Sequence, residues 1–307
     1  MIDLHLHLDG SLAPKTVRQM SEETGQPLPD NLENLLIYNS EKKSLTEYLK
    51  CFDLPLSFLQ TPDNVRFAVM KLAENLTDDN VNYAEIRFAP QFHTQKGFSQ
   101  EKIVLGALEA LEYAKLLRVE LNFILCLMRG FPESDNAETI DVALKYLGKG
   151  VCALDLAGDE SRFSIDLYED LFKHAAKLGI PFTIHAGEAD GPESIWKSLR
   201  LGAKRIGHGI HASEDNELIK YLADHKIPLE MCPISNLQTG AVNSLEEYPL
   251  VKFMEHGVIC TINTDNRTVS DTTIAKEFNT IKQLDGVTEL TVLTLKHNAE
   301  MAKFKLL

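Results

Sequence analysis

No apolar run in the 307-residue chain approaches the roughly 18 residues that a membrane-spanning helix needs, so no membrane partner is expected. Basic residues are in the minority: 31 Lys and Arg stand against 45 Asp and Glu, a formal charge of −14. That balance argues against nucleic acid or an anionic membrane surface, both of which want a basic face. Cysteine is sparse and unpatterned. Cys51, Cys126, Cys152, Cys232 and Cys260 are scattered, odd in number and contain no CxxC. They point to reduced thiols in a cytoplasmic compartment rather than to a disulfide framework or a cysteine zinc site. The opening Met1-Ile2-Asp3-Leu4-His5 lacks a basic leader region, so no signal peptide is expected. Phosphate-binding glycine loops are missing as well. Asp9-Gly10-Ser11 follows the first apolar run where GxGxxG would stand, and GxxxxGK[ST] occurs nowhere, which removes the usual support for nucleotide hydrolysis and dinucleotide redox chemistry. With no repeats, linkers or like-charge blocks, residues 1–307 read as one domain.

What is there is a rhythm of short apolar runs, polar tips and amphipathic stretches. The runs cover residues 2–9, 81–90, 119–129, 151–158, 181–186, 205–209, 228–232 and 258–264. Between them, residues 100–117 carry apolar side chains at helical spacing, as do 215–225, 245–256 and 272–284. Strands alternating with helices imply parallel βαβ units, and eight such units predict an α/β fold of the closed (β/α)₈ TIM-barrel type. Residues 28–60 break the rhythm as a helical insertion after the first strand, with Leu45, Tyr48, Leu49 and Phe52 at helical spacing. Long βα insertions in barrels sit above the strand C-termini, where active sites are built.

Asp3 to Asp9 alternates polar and apolar without a break, which places His5, His7 and Asp9 on one strand face. Two imidazoles one pleat apart can converge on one metal ion. Three further tips carry ionisable groups: His185 and Glu188 after the fifth run, His208 on the sixth, Asp265 on the eighth. His5, His7, His185 and Asp265 make a donor set suited to one zinc ion per chain, with a position left for water whose pKa would fall to about 7. Taken alone, Asp265 also reads as a helix cap and Glu188 as a solvated loop carboxylate; their joint placement favours the site. His93, His174, His211, His225, His256 and His297 are read as packing or rim residues, and Cys232 as packing. The cytidine-deaminase type of zinc site is excluded, because H-x-E and P-C-x-x-C are missing.

Six ordered motifs then carry a resemblance: DLHLHLDGS at 3–11, ALDLAGDE at 153–160, TIHAGEADG at 183–191, RIGHGI at 205–210, LEMCPISN at 229–236 and INTDN at 262–266. Over almost the whole chain the sequence resembles the adenosine deaminase family. The resemblance implies zinc on His5, His7, His185 and Asp265, Glu188 as proton donor to purine N1, and His208 beside the attacking hydroxide. It implies substrate contacts from His7, Asp9, Gly158 and Asn266, and an apolar lid of Leu45, Tyr48, Leu49 and Phe52. Chemistry fits these roles. Attack at C6 pushes charge onto N1, which a protonated Glu188 neutralises, while Asp265 orients the hydroxide and a positive His208 stabilises it.

The expected activity is hydrolytic deamination of adenosine and 2'-deoxyadenosine in purine salvage. Adenine, N6-modified AMP or an aminofutalosine-type compound are alternative substrates on the same scaffold. A two-metal hydrolase would want a bridging Lys where Asp155-Leu156-Ala157-Gly158 stands, and a non-catalytic binding protein is the alternative outside enzymes. Two departures stand out. Asn266 occupies a position that is Asp in many relatives, and an amide donates to purine N7 at any pH. The chain also stops at Phe304-Lys305-Leu306-Leu307, where relatives continue, so a weaker closure of the last barrel unit is expected.

Overall fold

The computed structural model describes residues 1–39 and 43–304. Residues 40–42 of the insertion, and residues 305–307 on which the expectation about closure partly rests, lie outside the described residues. Among the described residues there are eight strands: β1 (Ile2–His7), β2 (Tyr83–Phe88), β3 (Glu120–Met128), β4 (Val151–Ala157), β5 (Thr183–Ala186), β6 (Arg205–His208), β7 (Leu229–Met231) and β8 (Cys260–Ile262). All neighbours are parallel, in the orders β1-β2-β3-β4 and β5-β6-β7-β8. Single parallel bridges join the two halves. Leu154 N–H donates to Pro181 O at 3.0 Å across β4 and β5. At the other seam His7 N–H donates to Asp265 O at 2.7 Å, and Asp265 N–H to His5 O at 2.8 Å. The result is the expected (β/α)₈ barrel, closed through the backbone of candidate site residues.

The alternation in β1 explains its place. Leu4, Leu6 and Leu8 face the outer helices and are buried, whereas Asp3 and His5 are buried toward the barrel axis. The axis is not filled with aliphatic layers. Arg87, Glu230, Arg205, Glu85 and Asp155 are all buried there. Arg87 Nη1 donates to Asp155 Oδ2 at 3.0 Å and Nη2 to Glu230 Oε2 at 2.9 Å, while Arg205 bonds Glu230 Oε1 at 2.6 Å and Glu85 Oε2 at 2.5 Å. Buried charges of this kind persist only when paired and hydrogen-bonded, and they specify arrangement more than they add stability.

Three sequence expectations are corrected. β1 ends at His7 rather than Asp9, because Leu8 adopts helical φ/ψ and Asp9–Ser11 forms a 3₁₀ turn; Asp9 is therefore past the strand, not on its face. The stretch 100–117 divides into helices Gln100–Glu109 and Leu111–Leu116, where the turn tightens at Ala110, whose N–H reaches Ala107 O. The stretch 245–256 is helical only over Leu250–Glu255, beginning after Pro249, whose ring fixes φ and lacks an N–H. The insertion carries helices Leu32–Leu36, Leu45–Leu49 and Asp53–Phe58. Among the described residues, no helix is long and apolar enough to cross a membrane.

Candidate active site

The strand tips converge as alternation and barrel geometry require. His7 Nε2 lies 3.3 Å from His185 Nε2 and 3.3 Å from Asp265 Oδ1, and His5 Nε2 is 3.4 Å from Asp265 Oδ1. Four donors at about 2.0–2.1 Å from a tetrahedral centre stand about 3.3 Å apart, so the spacing fits one metal ion of that size. Among the described residues His5 Nε2 is buried without a hydrogen-bond partner, as a nitrogen reserved for a metal would be. The far side of each ring is also provided for. His5 Nδ1 is 2.8 Å from Glu230 Oε2, and His185 Nδ1 is 2.8 Å from Asp155 Oδ2. These carboxylates fix the rings with Nε2 facing the cluster, the usual support of metal-binding histidines. Arg87 ties the two carboxylates together.

Burial pushes His5 down to about 4 and holds His7 well below the usual histidine range, so both offer lone pairs at neutral pH. Burial also opposes charge on His185, but Asp155 outweighs it and raises that ring. Asp265 is held well below the usual carboxylate range: burial opposes its charge, but the surrounding His5, His208 and His7 rings outweigh it. Its Oδ2 accepts from Ser235 Oγ at 2.5 Å. His208, Cys232 and Asp265 form a second cluster of donor atoms. Burial holds the Cys232 thiol well above its ordinary range, hence protonated, so the histidine-rich set is the better metal site.

Glu188 sits beside this cluster on the loop after β5. Gly187 has φ +69°, and a Cβ there would stand 2.4 Å from Ile195 Cδ1, so the turn needs glycine. The buried Glu160 carboxylate holds the loop, accepting the backbone N–H groups of Gly187, Glu188, Ala189 and Asp190 and the Ser194 hydroxyl. Burial raises the Glu188 carboxyl, with the neighbouring His208 pulling the other way. Thr239 Oγ1 donates to Glu188 Oε1 at 3.2 Å, and Glu188 Oε2 is 3.5 Å from His208 Nε2. His208 and Asp265 have φ of +60° and +57°. Left-handed backbone costs a non-glycine residue roughly 1–2 kcal/mol, strain that clusters at functional sites.

A cavity of about 290 Å³ opens onto these groups and is lined by His7, Asp9, Gly158, His185, Glu188, His208, Asp265 and Asn266. Leu45, Tyr48, Leu49 and Phe52 of the insertion also line it. Tyr48 is more than an apolar lining residue: its hydroxyl is 2.7 Å from Ser270 Oγ. Burial raises Asp9 to about 6. Gly10 packs so closely on Asn266 that a Cβ would meet Asn266 Oδ1 at 1.9 Å. The remaining histidines stay apart from the cluster: buried His93 bonds Leu59 O, and His211, at the rim, bonds Gly187 O.

Sequence reasoning missed the supporting groups Arg87, Asp155, Glu160, Glu230, Ser235, Asn236 and Thr239. The available signal was a lone charge inside an apolar strand, as with Asp155 in VCALDLA and Glu230 in LEM, since such a residue is rarely buried unless paired.

A family model described as "Adenosine deaminase" matches residues 1–305. An adenosine deaminase of Haemophilus ducreyi is 48% identical over 92% of this chain and 85% of its own length. One from Clostridium kluyveri is 41% identical over 90% of this chain and 81% of its own. Among solved structures, an adenine deaminase from Arthrobacter aurescens superposes with a TM-score of 0.87 at 26% identity, over 99% of this chain and 93% of that one. The whole-chain match, carried on a barrel whose strand tips assemble these donors, shows that the chain belongs to the adenosine deaminase family.

Proposed function

We propose that this chain is a zinc-dependent hydrolase that converts adenosine and 2'-deoxyadenosine to inosine and 2'-deoxyinosine, with release of ammonia, in purine salvage. The observation that carries the reading is the joining, in one cavity, of a metal-sized donor set and a buried Glu188 whose carboxyl is raised. His5, His7, His185 and Asp265 would hold one zinc ion. Zinc there would supply Lewis acidity, bringing a bound water's pKa to about 7.

The chain's own groups do the rest. Thr239 donates to Glu188 Oε1, which leaves Oε2 to carry the proton that N1 receives as C6 is attacked. Asp265, held by Ser235, orients the attacking oxygen. Asp9 would take the ribose side, the Gly158 backbone the purine edge and the Asn266 amide purine N7, while His7 borders the substrate. Leu45, Tyr48, Leu49 and Phe52, in the 28–60 segment of a single 1–307 domain, exclude water from the reaction.

Charge favours a nucleoside over a nucleotide. Asp9, Asp53 and Asp159 line the cavity. The cation among its lining residues, Arg129, donates to Phe163 O and His185 O, so the three carboxylates outnumber it and set a phosphate dianion against like charge. The free, buried thiols fit the cytoplasmic compartment expected from sequence. A spectrophotometric panel tests the assignment. Adenosine and deoxyadenosine should turn over efficiently, with adenine and AMP far behind; a preference for AMP or adenine would reassign the substrate.

A further inference from the structure

Helix Pro233–Thr239 sends three side chains into the site: Ser235 to Asp265, Asn236 to His208 and Thr239 to Glu188. Asn236 is held at both ends of its amide. Its Oδ1 lies 3.1 Å from the Tyr248 hydroxyl and its Nδ2 lies 3.0 Å from His208 Nδ1. Tyr248 is buried, and among the described residues Asn236 is its hydrogen-bond partner. A buried phenol must place its proton on an acceptor, and of the two amide ends only the oxygen accepts. The amide nitrogen, which only donates, therefore faces the ring. A donor facing Nδ1 requires that nitrogen to be bare, so the ring proton of His208 sits on Nε2, on the side of Glu188 Oε2. The ring is buried and cannot swing away.

We propose that Tyr248 and Asn236 are positioning residues that keep Nδ1 of His208 bare and its ring proton on Nε2, so that His208 acts as a hydrogen-bond donor toward the reacting groups. The proposal rests on the deaminase reading. An Nε2 that already carries a proton cannot take one from the attacking oxygen, which enters as hydroxide. The same Nε2–H faces the Glu188 carboxylate left behind once N1 has taken its proton. The step balances: an O–C6 bond forms, the C6–N1 π pair moves to N1, and N1 receives the Glu188 proton.

The test exchanges hydrogen-bond polarity without changing shape. In N236D both carboxylate oxygens accept, one from Tyr248 and the other from the ring, which moves the His208 proton to Nδ1. The readout is the two-bond ¹H–¹⁵N correlation spectrum of histidine-labelled protein, with the His208 signals assigned by their loss in H208Q. Wild type should show a bare Nδ1 and a protonated Nε2, and N236D a protonated Nδ1. Turnover in N236D should fall about 10²-fold or more, with KM and metal content nearly unchanged; a wrong tautomer in a serine-protease triad costs about 10⁴. Should N236D fail to fold, Y248F should show both tautomers and a smaller loss. A wild-type His208 protonated on Nδ1, or an N236D whose proton has moved while kcat has not, would overturn the proposal. If wild type does not deaminate adenosine, the deaminase reading fails while the spectrum still judges the tautomer.

Discussion

Glu188 is where the chemistry is most exposed to a single substitution. The loop that carries it is held by Glu160 through backbone N–H groups, so changing the Glu188 head group should leave its position intact. Glu188→Gln can hydrogen-bond but cannot deliver a proton. It should keep metal and melting temperature while turnover falls at least 10²-fold, the usual worth of general acid catalysis. Near wild-type turnover would assign the proton to another group, and loss of metal would make Glu188 a ligand. This residue, like His5, His7, His185, His208 and Asp265, was legible in the sequence because each stands at the tip of a recognisable apolar run. Asp155, Glu230 and Arg87 were not, since their partners lie across the barrel and linear spacing says nothing about which strand tips meet. Asn236 was visible as a letter in a motif, but its role depends on Tyr248, twelve residues away on another segment.

At the scale of elements, the insertion decides how the site is covered. Leu45, Tyr48, Leu49 and Phe52 line the cavity, and Tyr48 packs edge-on against Tyr38 with ring centroids 5.4 Å apart. Helix Leu45–Leu49 starts at Ser44, whose side chain accepts the Glu47 N–H, the expected N-cap pattern. Phe52 is only partly buried, so Phe52→Ser should mainly weaken substrate handling, with KM for adenosine raised and zinc content unchanged. A variant that unfolds while its kinetics per folded molecule stay normal would make this face ordinary core. Periodicity marked these four residues because helical spacing carries on from helix Leu45–Leu49 into the 3₁₀ turn Lys50–Phe52. It overran the ends elsewhere, as at Asp9 and before Pro249, because a local 3₁₀ turn and a proline cut short the apolar pattern.

The whole molecule is a barrel whose interior is charged, and its stability should depend on pH accordingly. Burial pushes Glu277 up to about 8. Its oxygens accept from Ile234 N–H and Thr272 Oγ1, and Asp3, Asp265, Cys232 and Tyr248 are the titratable groups around it. The native state thus binds a proton that the unfolded chain, with an ordinary carboxyl near 4.5, releases. This contribution to stability is full below about 4.5, declines as pH rises toward about 8, and is then lost. Glu277→Gln should remove that slope from a plot of melting temperature against pH, and an unchanged slope would place the titration elsewhere. Metal acts on the same scale, because the donors meet only in the assembled barrel; saturating metal at a thousand times Kd adds about 4 kcal/mol. Adenosine deamination by chelator-treated protein, titrated back with Zn²⁺, tests the central claim most directly. The account predicts activity that is lost on chelation and returns to a plateau at one equivalent per chain; activity that survives complete metal removal would contradict it.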